Sequence, residues 1–239
     1  YMRVYGVLVG KKPLIFTNND SGYETAIEFK KNGINSLILD TRKNPSSDII
    51  NEAKNLNIEI KFSHVVVVAK GYKKVKSADI AKISDNKKEL SKIENIECDC
   101  ICVSGFWTPS IHLASQSGNK SEFNEKIDAF VPKKSKQKEN TIGSANGIFT
   151  LEETIKDAFD KGYDVSNKIT KNNIKSSIPT VVEKKSTEHD KFWCVPLPKG
   201  KSYKRFLDFQ NDVAVSDIEL ALREGFRSIE HVKRYTTLG

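Results

Sequence analysis

The stretch Pro13–Asp40, PLIFTNNDSGYETAIEFKKNGINSLILD, decides the fold. Its first five residues are an apolar run opened by a proline, which a strand tolerates at its first position. Ser21 and Glu24 have capping-box spacing, so a helix is expected from Ser21 to about Asn32, closed by Gly33. Ser36–Asp40, SLILD, is a second apolar strand. Strand, capped helix and strand within some 30 residues make a βαβ unit, hence a parallel sheet with a right-handed crossover.

The chain elaborates this unit on both sides. Residues 1–6 read as the end of a helix. A helix is expected over Ser47–Leu56, then strands at 58–60, 64–69 and 74–83, a polar connection over 84–97, and a return to the parallel sheet at Cys98–Val103. Ile127–Val131 reads as a short strand and Thr141–Ser144 as the end of another. Thr150 and Glu153 form a second capping box, opening an amphipathic helix that is expected to close near Gly162. Residues 163–191 are polar and lack periodicity, as a linker does. Ser216 is expected to cap one later helix and Ser228 to start another. The reading is therefore a domain over 1–165, a linker over 166–190 and a small helical module over 191–239.

Composition excludes several classes. The net charge is +8, but the excess is mostly lysine accompanied by asparagine and isoleucine, a bias that AT-rich coding imposes. There is no arginine cluster or aromatic-interleaved basic stripe, so nucleic acid is not the expected partner. No apolar run is long enough to span a membrane. Cys98, Cys100 and Cys102 alternate along an expected strand and so should share one face, with Cys194 far away. Zinc ligands come from tighter turns, so these are read as core thiols and no metal is expected. Thiols without partners point to a reducing, cytoplasmic setting.

A dinucleotide-binding turn normally reads G-x-G-x-x-G/A, letting backbone approach a pyrophosphate at the helix N-terminus. The candidate turn here is Thr17, Asn18, Asn19, Asp20, Ser21 and Gly22, which keeps only the third glycine. Asn19 has a side chain where close approach is needed, and Asp20 brings negative charge. Asp40, at the end of the second strand, has the spacing of an acid that holds a ribose hydroxyl. Dinucleotide binding is therefore expected to be weak or absent, with an adenosine moiety as the most that binds. As a strand-end acid, Asp40 is expected to be exposed and dispensable for stability.

The order of parts resembles the nucleotide domain inserted into thioredoxin-reductase-like flavoproteins: a Rossmann-like α/β domain of parallel sheet plus β-meander. In that resemblance Val103–Gly105 and Pro109 lead back toward a first domain. Ile142-Gly143-Ser144-Ala145-Asn146-Gly147 then looks like the returning glycine-rich turn, with Gly143, Ser144 and Asn146 toward the cofactor. A more specific resemblance lies in Asp208–Val213, Arg223–Ser228 and His231–Thr237, joined by Thr17–Ala26. These stretches are similar to the α subunit of heterotetrameric sarcosine oxidases.

That resemblance implies an internal part of α from a flavoprotein complex with β, γ and δ subunits. Such complexes oxidatively demethylate sarcosine, using oxygen and tetrahydrofolate, with NAD, FAD and FMN as cofactors. The amine-oxidising site is expected on β and the folate domain elsewhere in α, so this stretch alone is expected to bind no cofactor and to be inactive. The module at the C-terminal end resembles a small iron–sulfur-binding domain whose C-x-C positions hold Asp208 and Gln210, neither of which supplies a thiolate. Arg234, Thr236 and Thr237 are candidates for holding a flavin phosphate at the interface with β. Two other readings compete: a ligand-free scaffold of a related amine or amino-acid dehydrogenase, and an active pyridine-nucleotide oxidoreductase. The second is disfavoured because no C-x-x-C pair is present.

Overall fold

A computed structural model describes residues 1–105, 107–170, 177–181 and 189–238. A one-turn helix α1 (Met2–Tyr5) precedes the parallel unit: β1 (Pro13–Thr17), α2 (Ser21–Lys31), β2 (Leu37–Asp40), α3 (Asp48–Asn55) and β3 (Glu59–Phe62). An antiparallel meander follows, β4 (His64–Gly71), β5 (Val75–Lys82) and β6 (Glu94–Glu97), before β7 (Cys100–Ser104) returns to the parallel sheet. Sheet order is β3-β2-β1-β7, every pair parallel. The chain winds outward from β1 to β3 and then crosses to the other side, so the topological switch lies between β1 and β7.

Both faces of this sheet are covered, which is why β1 and β2 read as continuous apolar runs and do not alternate. Ile15 and Ile38 pack with Tyr23, Ile27 and Phe29 of α2 and Ile50 of α3. Their neighbours Leu14 and Leu39 point the other way, onto Ala78 and Ile80 of the meander. Gly22 sits where α2 crosses β1, and a Cβ there would lie 2.6 Å from the Thr17 Cβ. Only glycine permits that approach of helix to strand.

Beyond β7 come α4 (His112–Gln116), the hairpin β8 (Ser121–Asn124) and β9 (Ala129–Pro132), and α5 (Leu151–Thr170). The C-terminal module is the small pair β10 (Phe206–Asp208) and β11 (Val213–Ala214), followed by α6 (Val215–Arg223) and α7 (Ile229–Thr236).

Several local expectations are corrected. Asp20, not Ser21, is the N-cap of α2, because the Asn19 carboxamide oxygen reaches forward to accept the Ser21 N–H at 2.9 Å. Likewise α6 starts at Val215 with Ala214 as N-cap, the Asp217 carboxylate accepting the Ala214 N–H at 2.8 Å. Cys98 does not share a face with the other thiols. A bend at Asp99, whose carboxylate accepts the N–H groups of Lys11 and Lys12, places Cys98 against the meander, while Cys102 packs on the α2–α3 side.

Residues 84–97 contain β6, an edge strand too polar to announce itself. Gly143–Asn146 is a 3-10 turn and not the end of a strand, Gly143 at φ +60° turning its N–H onto Asp157. Helix α5 does not close at Gly162 but runs to Thr170. Gly162 lies in open space at ordinary φ, costing about 1 kcal/mol against alanine, while Val165 and Ile169 continue the helical spacing. The expected linker over 166–190 therefore begins inside this helix; 171–176 and 182–188 lie outside the described residues.

Candidate functional site

The carboxyl ends of β1, β2 and β7 meet at the switch point, where α/β sheets usually bind ligands. Thr17–Gly22 and Asp40 all converge there, and the geometry turns each of them inward. The Thr17 hydroxyl accepts the Asn19 N–H at 3.2 Å and donates to the Asn19 carbonyl at 2.9 Å. The Asn19 Nδ2 donates to Asn18 Oδ1 at 2.9 Å and to the Gly105 carbonyl. Asn19 Oδ1 accepts both the N–H and, at 2.7 Å, the hydroxyl of Ser21. Ser21 in turn meets Ser104 of β7 hydroxyl to hydroxyl. The Asn19 and Ser21 amides, which a pyrophosphate would need, thus both serve the turn itself.

Asp40 is not an exposed acid; it is 0% exposed. The Tyr23 hydroxyl donates to its Oδ2 at 2.6 Å, and Arg42 donates through its backbone N–H at 2.9 Å and its guanidinium at 2.8 Å. The same guanidinium pairs with Asp20 at 2.8 Å and lies over the Tyr23 ring. Burial and the Asp40 charge push the Tyr23 hydroxyl pKa far up. For Arg42, burial opposes the charged form, but hydrogen bonds and attraction from Asp40 and Asp20 outweigh it and the pKa rises. A ribose hydroxyl reaching Asp40 would have to displace one of these donors. The cluster is a buried ion-pair network of Arg42 with Asp20 and Asp40.

Sequence reasoning missed Arg42, Tyr23 and Ser104, although an arginine two residues after the ribose-position acid was a readable signal. It also missed Asp190. The Asp190 N–H donates to the Asn18 carbonyl at 2.8 Å, and Asn18 Nδ2 returns a bond to the Asp190 carbonyl at 2.9 Å. The Asp190 carboxylate accepts the Thr41 hydroxyl at 2.8 Å and pairs with Lys87. Behind this crossing lies a cavity of about 200 Å³ between Phe16, Thr17, Val103 and Ser104 on the sheet and Phe192 and Trp193 on the crossing segment.

The other candidates lie elsewhere. Gly143 and Ser144 form the 3-10 turn, and Asn146 lines a groove of about 720 Å³ with Lys133, Lys161, Lys168, Val165 and Ile169. Arg234, Thr236 and Thr237 end α7. Arg234 is exposed, the Thr236 hydroxyl donates to the Val232 carbonyl at 2.7 Å, and Thr237 takes a left-handed C-cap conformation at φ +60°. Among the described residues no cluster of His, Cys, Asp or Glu has the makings of a metal site, and no helix is long and apolar enough to cross a membrane.

Residues 202–239 match the family described as the sarcosine oxidase A3 domain. Over its full length the chain is 30% identical to the sarcosine oxidase α subunit of Rhizobium meliloti strain 1021, and 26% identical to that of Corynebacterium sp. strain P-1. From end to end, the chain is similar to sarcosine oxidase α subunits. It spans about a quarter of their length, 23% of the Rhizobium subunit and 25% of the Corynebacterium one. Among solved structures, the flavoprotein disulfide reductase RclA from Escherichia coli overlaps 68% of this chain and 36% of its own at TM-score 0.48 and 16% identity. The sarcosine-oxidase-like module at 202–238 holds no thiolate at Asp208 or Gln210. Asp208 instead accepts the Gln210 N–H at 2.8 Å and the Asn211 side chain at 2.8 Å, closing the β10–β11 turn.

Proposed function

We propose that this chain serves within the α subunit of a sarcosine oxidase as a non-catalytic body and subunit-docking piece. The parent complex oxidises sarcosine with oxygen and tetrahydrofolate in the cytoplasm, its NAD, FAD, FMN and folate held largely outside this stretch, and its other subunits are β, γ and δ. The observation that carries the reading is the similarity to α subunits along all 239 residues. Residues 1–165 supply the nucleotide-domain body, 166–190 the connection and 191–239 the docking module. The switch-point crevice contributes little or no dinucleotide binding, in keeping with the occupied amides of Asn19 and Ser21 and the buried Asp40.

Docking falls to the module because its large apolar residues face outward: Phe209 is 80% and Ile229 66% exposed. Arg234 and the hydroxyls of Thr236 and Thr237 then meet a flavin phosphate at the β interface, where a guanidinium can bind two oxygens at once. The test has two arms. The purified chain should neither turn over sarcosine nor absorb as a flavoprotein, and turnover by the chain alone would overturn the reading. In the reconstituted complex, Arg234→Ala and Thr236→Val should lower flavin content and weaken α–β association. If both quantities hold at wild-type level, the module docks elsewhere.

A further inference from the structure

The segment His189–Val195 carries information that the docking reading does not use. Asp190 and Asn18 exchange a reciprocal pair of hydrogen bonds, N–H to carbonyl at 2.8 Å and carboxamide to carbonyl at 2.9 Å. That pattern recognises an extended backbone without regard to its side chain. The carboxylate of Asp190 is then read separately, by the Thr41 hydroxyl at 2.8 Å and by the Lys87 ammonium, whose Nζ also reaches the Lys191 carbonyl at 3.1 Å. Two residues further on, the chain lies over the end of the sheet, Phe192 and Trp193 facing Phe16 and Val103 across the cavity of about 200 Å³. A second tether holds the far side, Trp193 Nε1 donating to Asp128 at 2.7 Å beside the β8–β9 hairpin. Backbone and charge are each met by a matching group of the fold, Phe192 is half-buried at the cavity, and the Trp193 ring, 72% exposed, is held through its Nε1.

We propose that the crevice at the carboxyl end of this sheet is a peptide-binding site, specific for an extended segment with an aspartate followed two and three residues later by aromatic side chains. In this chain its own residues 190–193 fill it. The site stands where a sheet of this topology would hold a nucleotide, and Asn18, Thr41 and Lys87 now read a polypeptide there. Because the occupant is covalently attached, its effective concentration is of millimolar order, so a free peptide competes poorly until the internal copy is weakened.

The experiment uses the full chain and a fluorescent peptide of residues 189–195, followed by anisotropy. Asp190→Ala combined with Trp193→Ala removes the carboxylate contacts and the Trp193 tether of the internal copy, and leaves Asn18, Thr41 and Lys87 intact. This variant should bind the peptide at least about tenfold more tightly than the wild-type chain does, by release from intramolecular competition. A peptide carrying asparagine in place of the aspartate should lose about tenfold or more of that affinity, as a charge-assisted contact requires. Equal binding to both chains, no binding to the variant, or indifference to the asparagine each overturns the proposal. Should the variant fail to fold, hydrogen exchange on the wild-type chain decides. The Asp190 amide should then be protected to the same degree as amides of β1, and exchange at the rate of a free peptide refutes a seated segment.

Discussion

The two parts of the molecule bury their apolar residues to different depths. From β1 to β7 the core is built of large side chains, with Leu14, Ile15, Tyr23, Phe29, Ile38, Leu39, Ile50 and Ile80 all buried. Beyond Ser104, every buried hydrophobic among the described residues is an alanine or a valine. There the large ones face outward, among them Phe209, Leu222 and Ile229, and the 20 residues of α5 include none that is buried. Burying a large apolar side chain contributes roughly 1.5–3 kcal/mol. The first part therefore has a core of its own, while the second leaves large apolar side chains in water, the feature on which the proposed docking role rests.

The sharpest test of the self-sufficient part is Asp40→Ala. It removes the acceptor of the Tyr23 hydroxyl and one of the two carboxylates around the buried Arg42. Breaking a buried ion pair from one side costs about 3–5 kcal/mol, and denaturant unfolding should report that loss. A cost under about 1 kcal/mol would place Asp40 among ordinary surface acids and dissolve the contrast between the two parts. Next in size is Gly22→Ala, whose added methyl meets the Thr17 side chain at 2.6 Å. Overpacking of this kind costs about 1–3 kcal/mol, and the same unfolding experiment checks it. Alanine tolerated without loss would mean that α2 is free to move off β1.

The fate of Asp40 also shows what the sequence could convey. Apolar runs at 13–17 and 36–40 around a helical pattern sufficed for the parallel unit, since periodicity and run length are local properties. The switch-point position of Thr17–Gly22 followed from that topology. What did not follow was who uses each polar group there. Asp40 has the spacing of a ribose ligand, yet its partners Tyr23 and Arg42 come from the helix before it and the loop after it. Asp190, from 172 residues beyond Asn18, could not be placed in the crevice by any local pattern. Strand β6 was hidden because an edge strand needs little hydrophobicity, and α5 outran its expected end because a single exposed glycine is a small penalty for a helix.

A smaller effect separates the two parts by pH. The Tyr23 hydroxyl is held neutral by burial and by the neighbouring Asp40 charge, so its folded pKa stands well above the unfolded value of 10.0. A raised pKa means that the folded state retains a proton which the unfolded state gives up. The stabilisation is complete below the unfolded pKa and declines as pH rises beyond it. Thermal stability should therefore fall more steeply above pH 10 in the wild-type chain than in Tyr23→Phe. At neutral pH the variant should lose about 1–2 kcal/mol with the hydrogen bond. Parallel pH profiles for the two chains would show that Tyr23 ionises freely and that this side of the core is open to water.

The smallest expected effect on stability belongs to the module, and its smallness is the point. Phe209→Ser and Ile229→Ser each replace a side chain that is mostly in water, and neither belongs to a buried cluster. Substitutions at such positions usually stay within about 0.5 kcal/mol, so the unfolding midpoint of the chain alone should hardly move. In a complex the same residues change meaning, because anchors of an interface are aromatic or large aliphatic groups that become fully buried there, each costing about 2 kcal/mol or more when truncated. Affinity for the β subunit proposed as the partner should then fall roughly thirtyfold for each substitution at that cost. Co-purification with that subunit, quantified against the wild-type chain, reads the difference. If the substitutions destabilise the isolated chain instead, Phe209 and Ile229 belong to a core of the module itself. The contrast between a self-contained sheet and an outward-facing tail would then be withdrawn.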